Sequence, residues 1–186
     1  MKVKGPALIA LQSFVLSEFG MEDGYKKWFE NLTPESQKLF LTKPNLNEWY
    51  SLKDGLNDPT QVMCNLFYKK KMQGAWEAGR FSADFALNTL MKIFIKASSV
   101  RYMARLAAKI LSRYYEPANA EVVKDSKGEV IIRITEFEGM TVVMENRIGG
   151  YIERSVELTG GRNVEVFIGP SMTKASPYTE YKIHWK

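Results

Sequence analysis

The sequence predicts an α+β fold: N-terminal helices packed with a small antiparallel sheet, which runs strand-strand-helix-strand-strand at the C-terminus. Three observations carry this. Up to Pro117 apolar residues recur at three- and four-residue steps; from Glu121 a period of two takes over in two short runs; and a helical stretch over 141–159 separates those runs. At 186 residues the chain has the length of a single domain, 1–186, with a helical region over residues 1–117 and a sheet region over residues 118–186. A domain of that size buries about 70% of its unfolded surface.

The first helix has Pro6 in its first turn and stops at Gly20. Leu8, Leu11, Val15 and Phe19 form its apolar stripe, with Phe14 beside it. Lys2 and Lys4 ahead of the uncharged run 5–17 imitate a secretory leader. No small-x-small cleavage site follows, and the pattern continues into Glu18, Phe19 and Gly20, so an amphipathic helix of the mature chain is expected. A second helix starts near Glu22 and carries Tyr25, Trp28, Phe29 and Leu32; Thr33-Pro34-Glu35 starts a third, with Thr33 as cap. The stretch 42–57, rich in Asn, Pro, Asp and Gly around Trp49-Tyr50, reads as irregular. Asp58-Pro59 opens a fourth helix with Val62, Leu66 and Phe67 as its expected inner side, ending at Lys69-Lys70-Lys71.

The most apolar helix begins at Gln73 and ends near Ala97-Ser98-Ser99. Trp76, Ala83, Leu87, Leu90 and Phe94 share one face, and Phe81 and Phe85 a neighbouring one, so the helix is expected to be central and buried. Gly74 and Gly79 each cost about 1 kcal/mol relative to alanine in a helix; they are expected where another backbone or a ligand comes close. The next helix, 100–115, turns Val100, Ala104, Ala107, Leu111 and Tyr114 inward and Arg101, Arg105, Lys109 and Arg113 outward, and Pro117 prevents its continuation.

Two strands, 121–124 and 129–137, meet at Asp125-Ser126-Lys127-Gly128, and Val130, Ile132 and Ile134 share a face. The helix over 141–159 directs Ile148, Tyr151, Ile152, Ser155 and Leu158 inward and ends at Gly160-Gly161. A second strand pair, 163–168 and 178–185, closes the chain, with Thr179, Tyr181, Ile183 and Trp185 opposite Glu180, Lys182 and His184.

Hydrophobic residues make up 45% and charged residues 25%, an ordinary globular balance. The net charge of +5 permits an acidic partner without requiring one. The single cysteine, Cys64, excludes an internal disulfide and a CxxC metal site and suits a reducing compartment. No apolar run approaches the roughly 20 residues of a membrane span, and a cytoplasmic protein is expected.

Several short motifs carry a family likeness. Lys4-Gly5 and Phe19-Gly20 at the ends of the first helix, Gly74 and Gly79-Arg80 in the central helix, and the closing strand pair resemble one superfamily. It is that of 4-vinyl-reductase domains, bacterial heme-NO-binding domains and the TRAPP vesicle-tethering subunits. Leu32-Thr33-Pro34-Glu35, Trp49-Tyr50-Ser51-Leu52 and Arg113-Tyr114-Tyr115 resemble an uncharacterised bacterial, myxobacterial-type family within it. The resemblance spans nearly the whole chain. It implies the NO-signalling/Golgi-transport ligand-binding fold, often dimeric, with a cavity between helices and sheet for a small, mostly apolar molecule; relatives hold heme, acyl chains or other hydrophobic ligands there.

The sequence departs from three specialised versions. Heme-NO-binding domains need an axial histidine on a helix, whereas the one histidine here, His184, falls on the polar face of the last strand; no heme is expected. Ser171 and Thr179 stand where many 4-vinyl-reductase-like members carry cysteines, and hydroxyls do not replace thiolates for a soft metal, so no metal is expected. Cys64, a candidate for acylation by the same resemblance, has no basic residue nearer in sequence than Lys69 and reads as a small buried hydrophobe.

No catalytic motif emerges. A Ser-His-Asp or Cys-His arrangement would have to use His184; Glu22-Asp23 suits a helix dipole; and Gly74 and Gly79 lack the Lys-Ser or Lys-Thr of a phosphate loop. Trp76, Arg80, Phe81, Phe85, Tyr114, Tyr115 and Tyr151 are the candidates for lining a ligand pocket, with Gly74 and Gly79 as points of backbone approach. Arg80, if buried, requires an acidic side chain or an anionic ligand group. The expected protein is a non-catalytic sensor or adaptor domain of bacterial signalling, homodimeric, holding an apolar small molecule. The alternative is a scaffold domain without a ligand, whose surface is the ridge Arg101, Arg105, Lys109 and Arg113. Residues 85–115 hold six basic and no acidic residues, which would suit an acidic protein partner. No nucleic-acid-binding motif is present, and a sequence-specific nucleic-acid partner is not expected.

Overall fold

The computed structural model describes residues 1–90 and 100–186, without the side chains of 87–90, 100, 101, 103, 104, 107 and 108. The chain opens with a short strand, β1 (Lys2–Lys4), and passes directly into α1 (Gly5–Phe19), where Pro6 occupies the first turn. Gly20, at φ +76°, ends α1 and bonds back to the Leu16 carbonyl. A π-helical turn (Met21–Tyr25) leads into α2 (Lys26–Glu30). α3 (Pro34–Phe40) starts as its sequence predicts, with the Thr33 side chain accepting from the Ser36 N–H. β2 (Trp49–Ser51), a second π-helical turn (Lys53–Asn57) and α4 (Asp58–Phe67) follow.

The inner side of α4 is Pro59, Thr60, Met63 and Cys64. Val62, Leu66 and Phe67, expected there, are only partly covered; the helix is rotated so that Met63 and Cys64 face the core.

The central helix is α5 (Gln73–Leu90), and α6 (Val100–Tyr114) follows. The expected inward positions Leu87, Leu90, Phe94, Val100, Ala104 and Ala107, and the helix end at Ala97-Ser98-Ser99, lie outside the described residues or side chains. Beyond α6 come β3 (Tyr115–Glu116), β4 (Ala120–Ser126) and β5 (Glu129–Ile134), the latter two joined through a turn in which Gly128 takes φ +80°. α7 (Val142–Leu158) is capped by Thr141, whose hydroxyl accepts from the Met144 N–H. β6 (Glu165–Ile168) and β7 (Thr179–His184) complete the chain.

The described residues form two antiparallel sheets. The four-stranded one runs β4-β5-β7-β6. The alternation in sequence is its register: Val130, Ile132, Ile134, Thr179, Tyr181 and Ile183 are all fully buried. The three-stranded sheet, β2-β1-β3, was not expected; Val3 sits at its centre between Tyr50 and Tyr115 and ties the N-terminus into the core. One apolar core runs from Val3, Leu8 and Leu11 through Trp28 and Met63 to Ile148, Ile132 and Tyr181. α7 packs against α5 and α6 and also touches β6 and β7, so it links the helical region to the larger sheet. Among the described residues, no helix is long and apolar enough to cross a membrane.

Candidate ligand cavity

α5 and α7 approach until their backbones touch. A Cβ at Gly79 would lie 2.0 Å from the Arg147 carbonyl oxygen, and one at Gly150 2.1 Å from the Trp76 carbonyl oxygen. The neighbouring Gly149 makes room for the Trp76 ring, which stands 2.5 Å from where a Cβ would be. Of the two glycines expected at close approaches, Gly79 meets a backbone, whereas Gly74 faces the Tyr68 ring and the Cys64 sulfur. The pair Gly149-Gly150 is not among the sequence candidates, although glycines inside a helical pattern signal close approach.

Charged side chains close the outer edge of this contact. Arg80 pairs with Glu153, donates from Nη2 to Glu157 Oε2 at 2.8 Å, and lies near Glu77. Trp76 donates its indole N–H to Glu153 Oε2 at 2.9 Å. Arg154 bridges Asp84 and Glu157, at 3.0 and 2.9 Å. Partial burial works against the Arg80 charge, but hydrogen bonds to Glu157 and Glu153 outweigh it and hold the guanidinium well above its usual range. Glu157 shows the complement: burial raises its pKa, but Arg80 and Arg154 bring it below the ordinary carboxylate value.

Behind this seam lies a cavity of about 50 Å³. Its walls are Pro6, Ala7 and Ala10 of α1; Gly79, Ser82, Phe85 and Ala86 of α5; Ile110, Leu111 and Tyr114 of α6 with Tyr115; and Arg147, Ile148 and Tyr151 of α7. Among the described residues, four helices and Tyr115 of β3 therefore bound it, and the four-stranded sheet supplies no lining residue. Phe85, Tyr114, Tyr115 and Tyr151 come together on its wall, with Gly79 beside them. The other pocket candidates lie elsewhere. Trp76 and Arg80 belong to the α5–α7 seam, and the Phe81 ring packs on Phe14 with centroids 5.4 Å apart. Burial pushes the Tyr115 phenol up to about 12, against the pull of the nearby Arg147 guanidinium, and raises Tyr114 and Tyr151 as well.

Arg147 is the charged residue of this wall, and like Pro6, Ala7, Ala10, Ser82, Ala86, Ile110, Leu111 and Ile148 it was not among the pocket candidates. It is 3% exposed, and burial lowers its guanidinium to about 10. It donates from Nη2 to Ser82 Oγ at 2.9 Å and from Nη1 to Thr60 Oγ1 at 3.5 Å. Its position four residues before Tyr151, on an inward stripe, was the available signal.

The remaining candidates sit outside the cavity. Arg105 donates from Nε to Asp125 Oδ2 at 2.7 Å, so β4 neutralises the middle of the basic ridge. Lys109 and Arg113 are exposed, and the Arg101 side chain lies outside the described residues. His184 is on β7, 3.5 Å from Glu129. Ser171 and Thr179 converge on a buried carboxylate: their hydroxyls donate to Glu145 Oε1 at 2.5 and 2.9 Å, and Thr173 donates to Oε2 at 2.9 Å. Cys64 is free and buried, and burial pushes its thiol up to about 11.

No protein-family profile matches the chain, and no curated protein matches it by sequence. Solved structures do. The H-NOX domain of Shewanella oneidensis in its Fe(II)CO state aligns with a TM-score of 0.72 at 11% identity, covering 99% of both chains. The Fe(II) unliganded H-NOX protein of K. algicida aligns at 0.70 and 10% identity, over 98% of this chain and 96% of that one. A structure probing heme distortion in the H-NOX family aligns at 0.69 and 13% identity, over 98% and 95%. The third names heme in the H-NOX family, and this overturns the expectation that heme has no place here. That expectation rested on the lack of a helical histidine, and a single missing ligand type does not decide which group a fold of this kind accepts. Matched over nearly its whole length at identities of 10–13%, the chain has the H-NOX fold.

Proposed function

We propose that this chain is a non-catalytic, ligand-binding sensor domain whose cavity among α1, α5, α6 and α7 takes a mostly apolar molecule. The cavity carries the reading: apolar and aromatic walls around one buried cation, at the junction of four helices. The H-NOX fold of the solved neighbours supports it. At about 50 Å³ the cavity is far below the roughly 300–1,000 Å³ that encloses a drug-sized ligand. A larger ligand therefore enters by separating the walls, and the displacement of α6 from α5 and α7 is the signal passed to a partner surface.

Heme, the group of the solved neighbours, is the first candidate. When bound it would supply an iron centre for a diatomic gas. The apolar side chains of the wall would suit its frame, and Tyr114, Tyr115 and Tyr151, which line the same wall, would be the residues to hold its iron, tyrosine being one of the side chains that ligate heme iron. Titration of the purified chain with hemin, followed by absorbance, tests the reading. Saturation at one hemin per chain is expected, together with its loss in the cavity-filling variant Ala86→Trp. Saturable binding that this variant leaves intact would place hemin elsewhere and overturn the assignment of the cavity.

A further inference from the structure

We propose that the ligand of this cavity carries a carboxylate and that Arg147 is its counter-ion, an inference that rests on the cavity reading above. The partly buried arginines Arg80, Arg133 and Arg154 each have a carboxylate partner. Arg147 is the most buried of the arginines named here, and among the described residues its hydrogen bonds go only to the neutral hydroxyls of Ser82 and Thr60. None of the described residues gives it a carboxylate, and the remaining stretch and side chains contain no Asp or Glu. A buried charge without a counter-ion is costly, and at neutral pH the guanidinium is still charged.

The wall also gives the rest of the ligand its chemistry. Ala7, Ala10, Phe85, Ile110 and Ile148 are apolar, so the anion must ride on an apolar frame. A carboxylate presents two coplanar oxygens that match the guanidinium fork. The hydroxyls of Tyr114 and Tyr115, on the same wall, have no hydrogen-bond partner among the described residues and supply further donors. Such a carboxylate could belong to a small free acid or to an arm of a larger frame such as a porphyrin.

Two matched pairs separate these sources: hexanoate against hexan-1-ol, and hemin against its dimethyl ester, each titrated into the full chain by calorimetry. The acid is expected to bind at least about tenfold more tightly than its neutral counterpart, the scale of a hydrogen bond to a charged group. A gap in the first pair assigns the carboxylate to a free acid, and a gap in the second alone assigns it to the larger frame; either supports the proposal. Arg147→Met should erase the gap while keeping the neutral compound's affinity, and Arg147→Lys should restore part of it. Equal binding of acid and neutral compound in both pairs, or a gap that survives Arg147→Met, overturns the role of Arg147 and leaves the cavity reading standing. Failure of all four compounds to bind overturns both. Arg147→Met exchanges a buried cation for an apolar side chain and removes the cost of burying its charge, so the variant should fold; if it does not, the gap in the native chain and its retention in Arg147→Lys decide.

Discussion

Gly79 on α5 faces the backbone of Arg147 on α7 so closely that a Cβ would stand 2.0 Å from the Arg147 carbonyl oxygen. This contact sets the distance between the two helices and, because Arg147 and Gly79 both line the cavity, it also fixes the cavity's floor. Gly79→Ala must force the helices apart. A destabilisation of about 1–3 kcal/mol, the usual range for overpacking, is expected in chemical denaturation. Gly20→Ala, strained only by its positive φ with open space around it, is the comparison that separates clash from backbone strain.

The ionic seam makes a prediction about pH. Glu157 has a folded pKa below its usual value of 4.5, so the stability it contributes is present above that value and is lost as pH falls through the depressed one. Melting temperature measured from pH 7 down to pH 3 should fall more steeply for the native chain than for Glu157→Gln below about pH 4.5. Parallel curves would show that the seam contributes little.

Glu145 is 3% exposed and accepts hydrogen bonds from Ser171, Thr173 and Thr179, which hold the β6–β7 connection to α7. Glu145→Gln weakens charge-assisted hydrogen bonds and places amide hydrogens against hydroxyl donors. A loss of about 1.5–3 kcal/mol is expected by urea denaturation. An unchanged midpoint would mean that the cluster is not held by charge.

Cys64 is fully buried, with a thiol pushed up to about 11. At pH 8 about one thiol in a thousand is thiolate, and the thiolate is the reactive form. Labelling with a maleimide is expected to be slow in the native chain and complete within minutes in urea. Fast native labelling would show that the α4–α5 contact opens readily.

What the sequence made legible is what local rules govern. The stop of α1 at Gly20, the cap at Thr33, and the buried faces of β5 and β7 follow from a glycine at positive φ, from a hydroxyl at a helix start and from alternation. The sheet β2-β1-β3 was not legible: strands of two or three residues are too short to show a period, and Val3 meets Tyr50 and Tyr115 only through tertiary contact. Within the cavity, Phe85, Tyr114 and Tyr151 stand on three different helices, and an aromatic stripe looks the same in sequence whether it faces a void or a neighbour. Trp76, Arg80 and Phe81 share the helix of Phe85 yet turn to Glu153, Glu157 and Phe14. The informative residue was the one that breaks its stripe, Arg147.

The most direct test of the account is the mass of the purified chain, measured by native mass spectrometry and again under denaturing conditions. A ligand held in the cavity predicts a native mass excess that disappears on denaturation and that is reduced in Ala86→Trp, with the size of the excess giving the ligand's mass. Bare native protein, unchanged after addition of hemin or hexanoate, would contradict the account.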